Sequence, residues 1–191
     1  MANLMPQLNV PVLLGTARQE RRSEAAARFI HAEMLKYGFQ SDYVDVRDHL
    51  LGATVAAWQA DARTDAWRGL MARADGLVIV SPEYNHGYPG ELKLLLDCAY
   101  KEYAQKPIGV CGVSNGVFGG ARMIENLRPV IVGLQAAPLV NAVSFPKVQD
   151  LFDAAGNCLE PELSGRLKKF FDELAALAAA LRTARQAAPQ A

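Results

Sequence analysis

"GLVIVSPEYNHGYPGELKLLLD", residues 76–97, joins an apolar run to a helical stripe through a loop rich in proline and glycine. The run Leu77–Ser81 predicts a buried strand that ends at Pro82, because proline cannot donate to a strand ladder. The apolar residues that follow Pro89-Gly90 at helical spacing predict an amphipathic helix. A buried strand followed by a helix is the repeating unit of parallel α/β sheets, so this stretch predicts that fold class.

Four further strands and four further helices alternate along the rest of the chain. The strands are predicted at Val10–Gly15, Ser41–Val46, Ile108–Val113 and Ala142–Phe145. The helices are predicted at Ser23–Tyr37, at Thr64–Ala74 with Thr64 as N-cap, at Ala121–Val132 with a bend at Pro129, and from Pro161 to Leu181. Such alternation implies right-handed βαβ units, and hence a five-stranded parallel sheet of order 2-1-3-4-5 with helices on both faces. We expect residues 1–191 to form one domain with a frayed tail at 183–191.

The charge balance and the cysteines exclude several classes of function. Lys+Arg and Asp+Glu number 20 each, so no overall field favours nucleic acid or an anionic membrane. No apolar run approaches the roughly 18 residues that span a bilayer, and the N-terminus lacks the pattern of a signal peptide. Cys98, Cys111 and Cys158 have neither metal-binding nor disulfide-framework spacing, which favours free buried thiols. These features predict a cytoplasmic protein with no nucleic-acid or membrane partner.

The loop after the first strand, "GTARQERRS" at residues 15–23, has the composition of an anion site. It matches neither the dinucleotide fingerprint nor the triphosphate loop. Gly15 permits a tight turn, Thr16 and Ser23 carry hydroxyls, and Arg18 and Arg21 can donate charge-assisted bonds beside a helix N-terminus. One terminal phosphate fits this set, and the alternative is a solvated basic helix start. Of Arg21 and its neighbour Arg22, we expect Arg21 to face the ligand.

Two more loops should lie beside the first, because they follow strands 3 and 4 at the edge where ligands bind in open parallel sheets. "PEYNHGYPG" exposes Tyr84 and His86 on a backbone stiffened by prolines, a segment able to cover a flat heteroaromatic ring. His86 has no nucleophile paired with it by motif, so its alternative role is packing or contact with solvent. "SNGVFGG", residues 114–120, has glycines where a backbone must approach a neighbour closely; the alternative is a mobile turn.

Other patterns give no site. His31 and Glu33 lack the cysteine pair that a deaminase zinc site requires. Trp58 and Trp67 lie at or near predicted helices, and we interpret them as packing residues.

Together the three loops resemble the NADPH-dependent FMN reductase family, a branch of the flavodoxin-like fold. The family pattern of G-S-x-R, then P-E-Y-N with P-G-x-L-K-x-x-L-D, then a Ser/Gly-rich turn, corresponds here to "GTAR", "SPEYNHGYPGELKLLLD" and "GVSNGVFGG". The resemblance covers roughly residues 10–145. Thr16 stands in the place of the usual serine, and Leu94 in the place of a common asparagine.

The resemblance implies a role for each matching position. The phosphate of FMN would be bound by the first loop, and the isoalloxazine ring would be lined by the second loop, mainly through backbone N–H groups. The third loop would border the other edge of the ring. The implied cofactor-binding residues are Gly15, Thr16, Arg18, Arg21 and Ser23; Pro82, Glu83, Tyr84 and Asn85; and Ser114, Asn115 and Gly116.

The activity implied by the resemblance is transfer of hydride from NADPH or NADH to bound FMN and on to a small-molecule acceptor by a ping-pong mechanism. The acceptor classes are quinones, azo dyes, free flavin and metal oxyanions, and no metal or acid–base residue is expected in the chemistry. Family members form homodimers or dimers of dimers (homotetramers), and Tyr100 and Tyr103 extend a stripe that would suit that contact. The alternative is a flavodoxin-type FMN electron carrier without nicotinamide turnover. A receiver-type regulatory module is disfavoured, because Gly15-Thr16 and Ser81-Pro82 stand where its acidic residues should be.

Overall fold

The computed structural model describes residues 7–153 and 155–187, which are built around a parallel sheet. Its strands are β1 (Val12–Leu14), β2 (Tyr43–Asp45), β3 (Leu77–Pro82), β4 (Pro107–Val113), β5 (Ala137–Pro138) and β6 (Val143–Phe145). The order along the sheet is β2-β1-β3-β4-β5, and every pair is parallel. This is the order of flavodoxin-like sheets, so the predicted fold class is confirmed.

The sheet edge beside β4 holds two short strands. β5 pairs with the start of β4 at Pro107 and Ile108, whereas β6 pairs with its end at Cys111–Val113. β6 corresponds to the predicted strand Ala142–Phe145. β5 was not predicted, because two residues, one of them proline, carry no periodic signal.

Most helices lie close to their predicted positions, but the helix predicted from Leu92 to Tyr103 ends at Asp97, and Lys101–Tyr103 form a separate 3-10 turn. The helices are α1 (Ser23–Tyr37), α2 (Ala62–Arg73), α3 (Gly90–Asp97), α4 (Ala121–Gly133) and α5 (Leu163–Ala187). The predicted N-cap of α2 is wrong: Asp61, not Thr64, caps it, because the Asp61 carboxylate accepts from a backbone N–H of the first turn. α4 continues through Pro129. α5 includes residues 183–187, which were predicted to fray, and residues 188–191 lie outside the described part of the chain.

Alternate residues of each strand face opposite helical layers. In β3, Leu77 and Ile79 belong to the core formed with α2, α3 and α4, whereas Val78 and Val80 belong to the core formed with α1 and α5. All four side chains are fully buried. Because both faces of the sheet are covered, the strands are apolar throughout rather than alternating, which explains the apolar run in the sequence.

The carboxyl ends of β1, β3 and β4 meet at one edge of the sheet. These strands are neighbours, and β2 lies on one side of β1 while β3 lies on the other, so the chain order reverses there. In open α/β sheets this reversal opens a crevice between the loops that leave the strands. The fold therefore brings together the three loops that the sequence singles out.

Two glycines set how closely these loops pack. A Cβ at Gly15 would lie 3.0 Å from a methyl carbon of Leu92 and 3.4 Å from Cβ of Ser81. Gly15 is therefore needed for close packing of β1 against α3, not for the tight turn predicted. Gly120 has a φ of +83°, and its Cβ would lie 2.7 Å from the amide nitrogen of Val113, so the third loop lies directly on β4.

Candidate functional site

A cavity of about 320 Å³ opens at the carboxyl edge of the sheet, between the three loops. Most of the residues predicted for the site line it: Arg18, Arg21 and Ser23 from the first loop, Pro82, Glu83 and Tyr84 from the second, and Ser114, Asn115 and Gly116 from the third. Gly15, Thr16 and Asn85 do not line it. The sequence missed five lining residues: Arg22, Val113, Phe118, Arg122 and Val148.

The N-terminus of α1 forms one end of the cavity. Its N-cap position is Arg22, and no side chain caps this end of the helix. Ser23 is 3% exposed, and its hydroxyl oxygen has no hydrogen-bond partner among the described residues. Arg18 and Arg22 are exposed beside it. An N-terminus without a side-chain cap, a buried hydroxyl without a partner among the described residues and two exposed cations suit a bound anion.

Arg21 is held differently from its two neighbours. Its side chain is 2% exposed and forms an ion pair with Asp45. It also donates to the backbone oxygen of Thr16 and lies 3.4 Å from the Glu24 carboxylate. Burial alone would raise the pKa of Asp45, but hydrogen bonds from Arg21 and the Arg47 amide outweigh it and lower the pKa. The positive charge of Arg21 is therefore balanced inside the protein, whereas Arg18 and Arg22 carry the exposed guanidinium groups at this end.

Thr16 lies beneath the cavity, not on its wall. It is fully buried, and its hydroxyl oxygen lies 3.0 Å from the Tyr84 hydroxyl and 3.2 Å from Oε1 of Glu91. The same Glu91 oxygen accepts from the amide of Ala17 at 2.7 Å. The guanidinium of Arg18 lies over the Tyr84 ring, 5.5 Å from its centroid. Hydrogen bonds thus join the first loop to the second loop and to α3.

Glu91 was not predicted from the sequence. The available signal was an acidic residue in the first turn of a helix directly after Pro89-Gly90, where the helix dipole stabilises a carboxylate. Nothing in the sequence indicates that this carboxylate lies beside Thr16, which is 75 positions away.

The second loop contains a two-residue hairpin turn. The backbones of Tyr84 and Gly87 exchange two hydrogen bonds of 2.9 Å, and Asn85 and His86 between them have φ angles of 48° and 71°. Positive φ at both central positions defines a type I′ turn, for which asparagine is well suited. Asn85 therefore lies exposed at the tip of the turn, away from the cavity wall.

The second loop is fastened to α4 by polar contacts. The Glu83 carboxylate accepts from Nε of Arg122 at 2.9 Å and from the backbone amides of Arg122 and Met123 at 3.2 and 3.4 Å. It therefore caps α4, which has no cap of its own. A second guanidinium nitrogen of Arg122 lies 2.9 Å from Nε2 of His86, and Asn126 donates to the His86 carbonyl at 2.7 Å. His86 is thus part of the link to α4.

The third loop closes the cavity. The Ser114 hydroxyl donates to the Gly116 carbonyl at 3.1 Å, and backbone bonds from Lys147 and Val148 hold the same turn. Phe118 is 62% exposed at the mouth, with the Arg122 guanidinium 5.1 Å from its ring centroid. The loop presents the exposed backbone of Asn115 and Gly116 to the cavity.

Metal and membrane features give no alternative site. Over residues 7–153 and 155–187, no group of three or more His, Cys, Asp or Glu side chains could hold a metal ion. In the same residues, no helix is both long and apolar enough to cross a membrane. Cys98 and Cys111 are buried free thiols, and burial raises the pKa of Cys98 to about 11, so it is not a nucleophile at neutral pH.

Comparison with known proteins identifies the family. Residues 8–150 match the family model described as NADPH-dependent FMN reductase. The chain is 33% identical over 184 residues to an NAD(P)H-dependent FMN reductase of Schizosaccharomyces pombe, covering 87% of this chain and 88% of that protein. It is 29% identical over 181 residues to a 2-hydroxy-1,4-benzoquinone reductase of Burkholderia sp., covering 88% and 95%.

The fold comparison agrees with the sequence comparison. FerB, a flavoenzyme NAD(P)H:(acceptor) oxidoreductase from Paracoccus denitrificans, superposes with a TM-score of 0.73 at 17% identity, covering 90% of this chain and 97% of that one. The chain belongs to the NADPH-dependent FMN reductase family. It is an enzyme, an FMN-dependent oxidoreductase that uses NAD(P)H.

The residues around the cavity fit FMN. The unpartnered Ser23 hydroxyl and the exposed Arg18 and Arg22 suit a single phosphate at the α1 end. Tyr84 and the glycine-containing backbone of the third loop suit a flat ring at the other end. FMN has one phosphate and one ring, which explains why neither of the common pyrophosphate and triphosphate motifs is present.

Proposed function

We propose that this enzyme binds FMN in the cavity between the three loops, accepts hydride from NAD(P)H and reduces a quinone by a ping-pong mechanism. One observation carries the proposal: the loops from β1, β3 and β4 surround a cavity whose α1 end holds the buried Ser23 hydroxyl, which has no hydrogen-bond partner in the described part of the chain. The family and a relative named for a benzoquinone support the quinone class. Azo dyes, free flavin and metal oxyanions are further acceptors that an exposed ring would serve.

The phosphate would be bound at the N-terminus of α1. In this proposal Ser23 donates its hydroxyl proton, the first turn of α1 donates backbone N–H groups, and Arg18 and Arg22 supply charge. Arg21 positions the loop instead, because its guanidinium is paired with Asp45 and bonded to the Thr16 carbonyl. Gly15 keeps β1 close to α3.

The ring would lie between the second and third loops. Pro82, Glu83 and Tyr84 would line one side, with Asn85 shaping the turn, and Ser114, Asn115 and Gly116 would border the other. Exposed backbone N–H groups of the third loop can stabilise negative charge on a reduced ring, because fixed dipoles need no reorganisation. We propose no catalytic acid or base: within residues 7–153 and 155–187, Glu83 is the sole carboxylate that lines the cavity, and it caps α4.

FMN supplies the hydride chemistry when it is bound. The chain's own residues would bind it and orient it, and Phe118 and Arg122 line the cavity in which substrates would reach it. The nicotinamide and the acceptor would bind in turn over the same exposed face of the ring, which is the basis for a ping-pong mechanism.

We propose that the chain acts in the cytoplasm as a single domain that pairs with a second copy. An apolar groove of about 900 Å³ lies between α3, α4 and residues 54–58. Trp58, interpreted from sequence as a packing residue, is 91% exposed there, and Tyr100 is 45% exposed. Tyr103 is fully buried and cannot contact a second copy. Of the two tyrosines predicted for this contact, Tyr100 is therefore the one that is exposed. Lys93 and Asp97 line the groove as an ion pair within the chain, so no unpaired charge of theirs opposes an apolar contact with the same surface of a second copy.

Sedimentation velocity tests this pairing. We expect a mass of twice the 20.7 kDa chain, or four times for a dimer of dimers. Trp58→Asp should shift the mass towards one chain, because it places a charge in the apolar groove. A single-chain mass for the unsubstituted protein would contradict the proposal.

Flavodoxin-type electron transfer is the alternative with the same fold and cofactor. Such carriers tend to be acidic for docking to partners, whereas this chain has 20 acidic and 20 basic residues. The family match favours the enzyme.

Rapid-mixing absorbance measurements separate the two functions. We expect NADPH to bleach the yellow protein anaerobically within seconds, and a benzoquinone added afterwards to restore the colour, with parallel double-reciprocal plots at steady state. Slow bleaching by NADPH and NADH with fast exchange of single electrons would favour the carrier. A protein that takes up no FMN would contradict both.

The phosphate assignment is tested by comparing FMN with riboflavin, which lacks the phosphate. Arg18→Ala should weaken FMN binding about ten- to a hundredfold, since a charge-assisted bond contributes about 1.5–3 kcal/mol. It should weaken riboflavin binding much less, because riboflavin loses only the effect of Arg18 on the Tyr84 ring. Quenching of flavin fluorescence measures both affinities.

Arg73→Ala is the matched control. Arg73 is an exposed arginine of α2 whose sole ion pair among the described residues is with Asp42, at 3.7 Å. This control should change neither affinity. Equal losses for FMN and riboflavin in Arg18→Ala would place Arg18 away from the phosphate.

A further inference from the structure

A short series of hydrogen bonds runs from the second loop through the first loop to α3. The Tyr84 hydroxyl lies 3.0 Å from the hydroxyl oxygen of Thr16, which lies 3.2 Å from Oε1 of Glu91. The backbone amide of Arg18 also donates to the Thr16 hydroxyl oxygen at 3.3 Å. The backbone amide of Ala17 donates to Oε1 of Glu91 at 2.7 Å. Thr16 is fully buried, so solvent does not compete for these bonds.

The chemistry of the groups fixes the direction of each bond. A carboxylate only accepts, and a hydroxyl has one proton and two lone pairs. Thr16 therefore donates its proton to Glu91, and Tyr84 must donate to Thr16. The Arg18 amide donates to the second lone pair of the Thr16 hydroxyl oxygen, so this hydroxyl has no further hydrogen-bonding position. With its single proton directed at Glu91, Thr16 has none left for a phosphate oxygen.

We propose, on the basis of the proposed FMN site, that Glu91 is a positioning residue that couples the phosphate end of the site to the ring end. Its carboxylate holds the first loop through Ala17 and orients the Thr16 hydroxyl, which in turn anchors Tyr84 on the cavity wall. In this arrangement Thr16 is a link between loops, and Ser23 and Arg18 are the phosphate ligands.

Arg18 strengthens the same link from the cavity side. Its backbone bonds to Thr16, and its guanidinium lies over the Tyr84 ring. A phosphate bound to Arg18 would therefore order Tyr84, and a ring lying against Tyr84 would order the first loop. By thermodynamic reciprocity, each ligand then raises the affinity for the other by the same factor.

The coupling can be measured with the two halves of FMN added separately to the FMN-free protein. Riboflavin supplies the ring and inorganic phosphate the anion, and calorimetry gives the riboflavin affinity with phosphate or with chloride at equal ionic strength. We expect phosphate to raise the riboflavin affinity about fivefold or more in the unsubstituted protein, at the lower end of typical coupling.

Variants of Glu91 and Thr16 test whether the coupling between phosphate and riboflavin depends on this series of hydrogen bonds. Glu91→Ala and Thr16→Val should reduce the phosphate effect to a factor near one. Glu91→Gln should retain part of it, since an amide oxygen still accepts from both donors. Asp65→Ala, which removes a first-turn acid of α2 that is exposed, is the matched control and should keep the full effect.

Two results would overturn the proposal: no phosphate effect in the unsubstituted protein, or a full effect in Thr16→Val and Glu91→Ala. If Glu91→Ala does not fold, as judged by circular dichroism, Thr16→Val and Glu91→Gln still decide the question. Failure of the unsubstituted protein to bind FMN or riboflavin at all would instead contradict the proposed function.

Discussion

The buried hydroxyl of Thr16 is the contact on which the arrangement of the site depends. It lies at the end of β1, and its partners come from the second loop and from the first turn of α3. Next to it, Gly15 leaves room for the Leu92 side chain of α3, because a Cβ at Gly15 would lie 3.0 Å from a Leu92 methyl carbon. The carboxylate of Glu91, the residue before Leu92, lies under the loop that we assign to the phosphate.

Burial separates the arginines at this edge into two kinds. Arg21 lies inside the protein and balances Asp45, so its role is to hold the first loop. Arg18 and Arg22 remain exposed beside an uncapped helix and the unpartnered Ser23 hydroxyl. Arg122, half-exposed, joins α4 to the second loop through Glu83 and His86. Because the guanidinium of Arg21 is already paired with Asp45, we assign the proposed phosphate contacts to Arg18 and Arg22.

Much of the fold follows from local sequence. Apolar runs predict the strands that pair over several residues, such as β3 and β4. Apolar residues at helical spacing predict α1 with its observed bounds, Ser23–Tyr37. β5 escaped prediction because its position depends on pairing with β4, not on its own two residues.

Site residues were harder to predict because their roles depend on distant partners. The loop sequences brought most of the lining residues together correctly, since strand order alone puts those loops side by side. The expectation that Arg21 rather than Arg22 faces the ligand stays a prediction, since both line the cavity, and composition does not reveal that Asp45 of β2 pairs with Arg21. For the same reason, the sequence does not predict Glu91 and Arg122 as site residues. The exposure of Trp58 is not predicted either, because nothing in the neighbouring sequence indicates it.

A crystal structure of the FMN complex would show which hydroxyl binds the phosphate. We expect the phosphate within hydrogen-bonding distance of the Ser23 hydroxyl and the Arg18 guanidinium, with the Thr16 hydroxyl still bonded to Glu91 and Tyr84. A phosphate oxygen bonded to the Thr16 hydroxyl, with Glu91 turned away, would contradict this expectation.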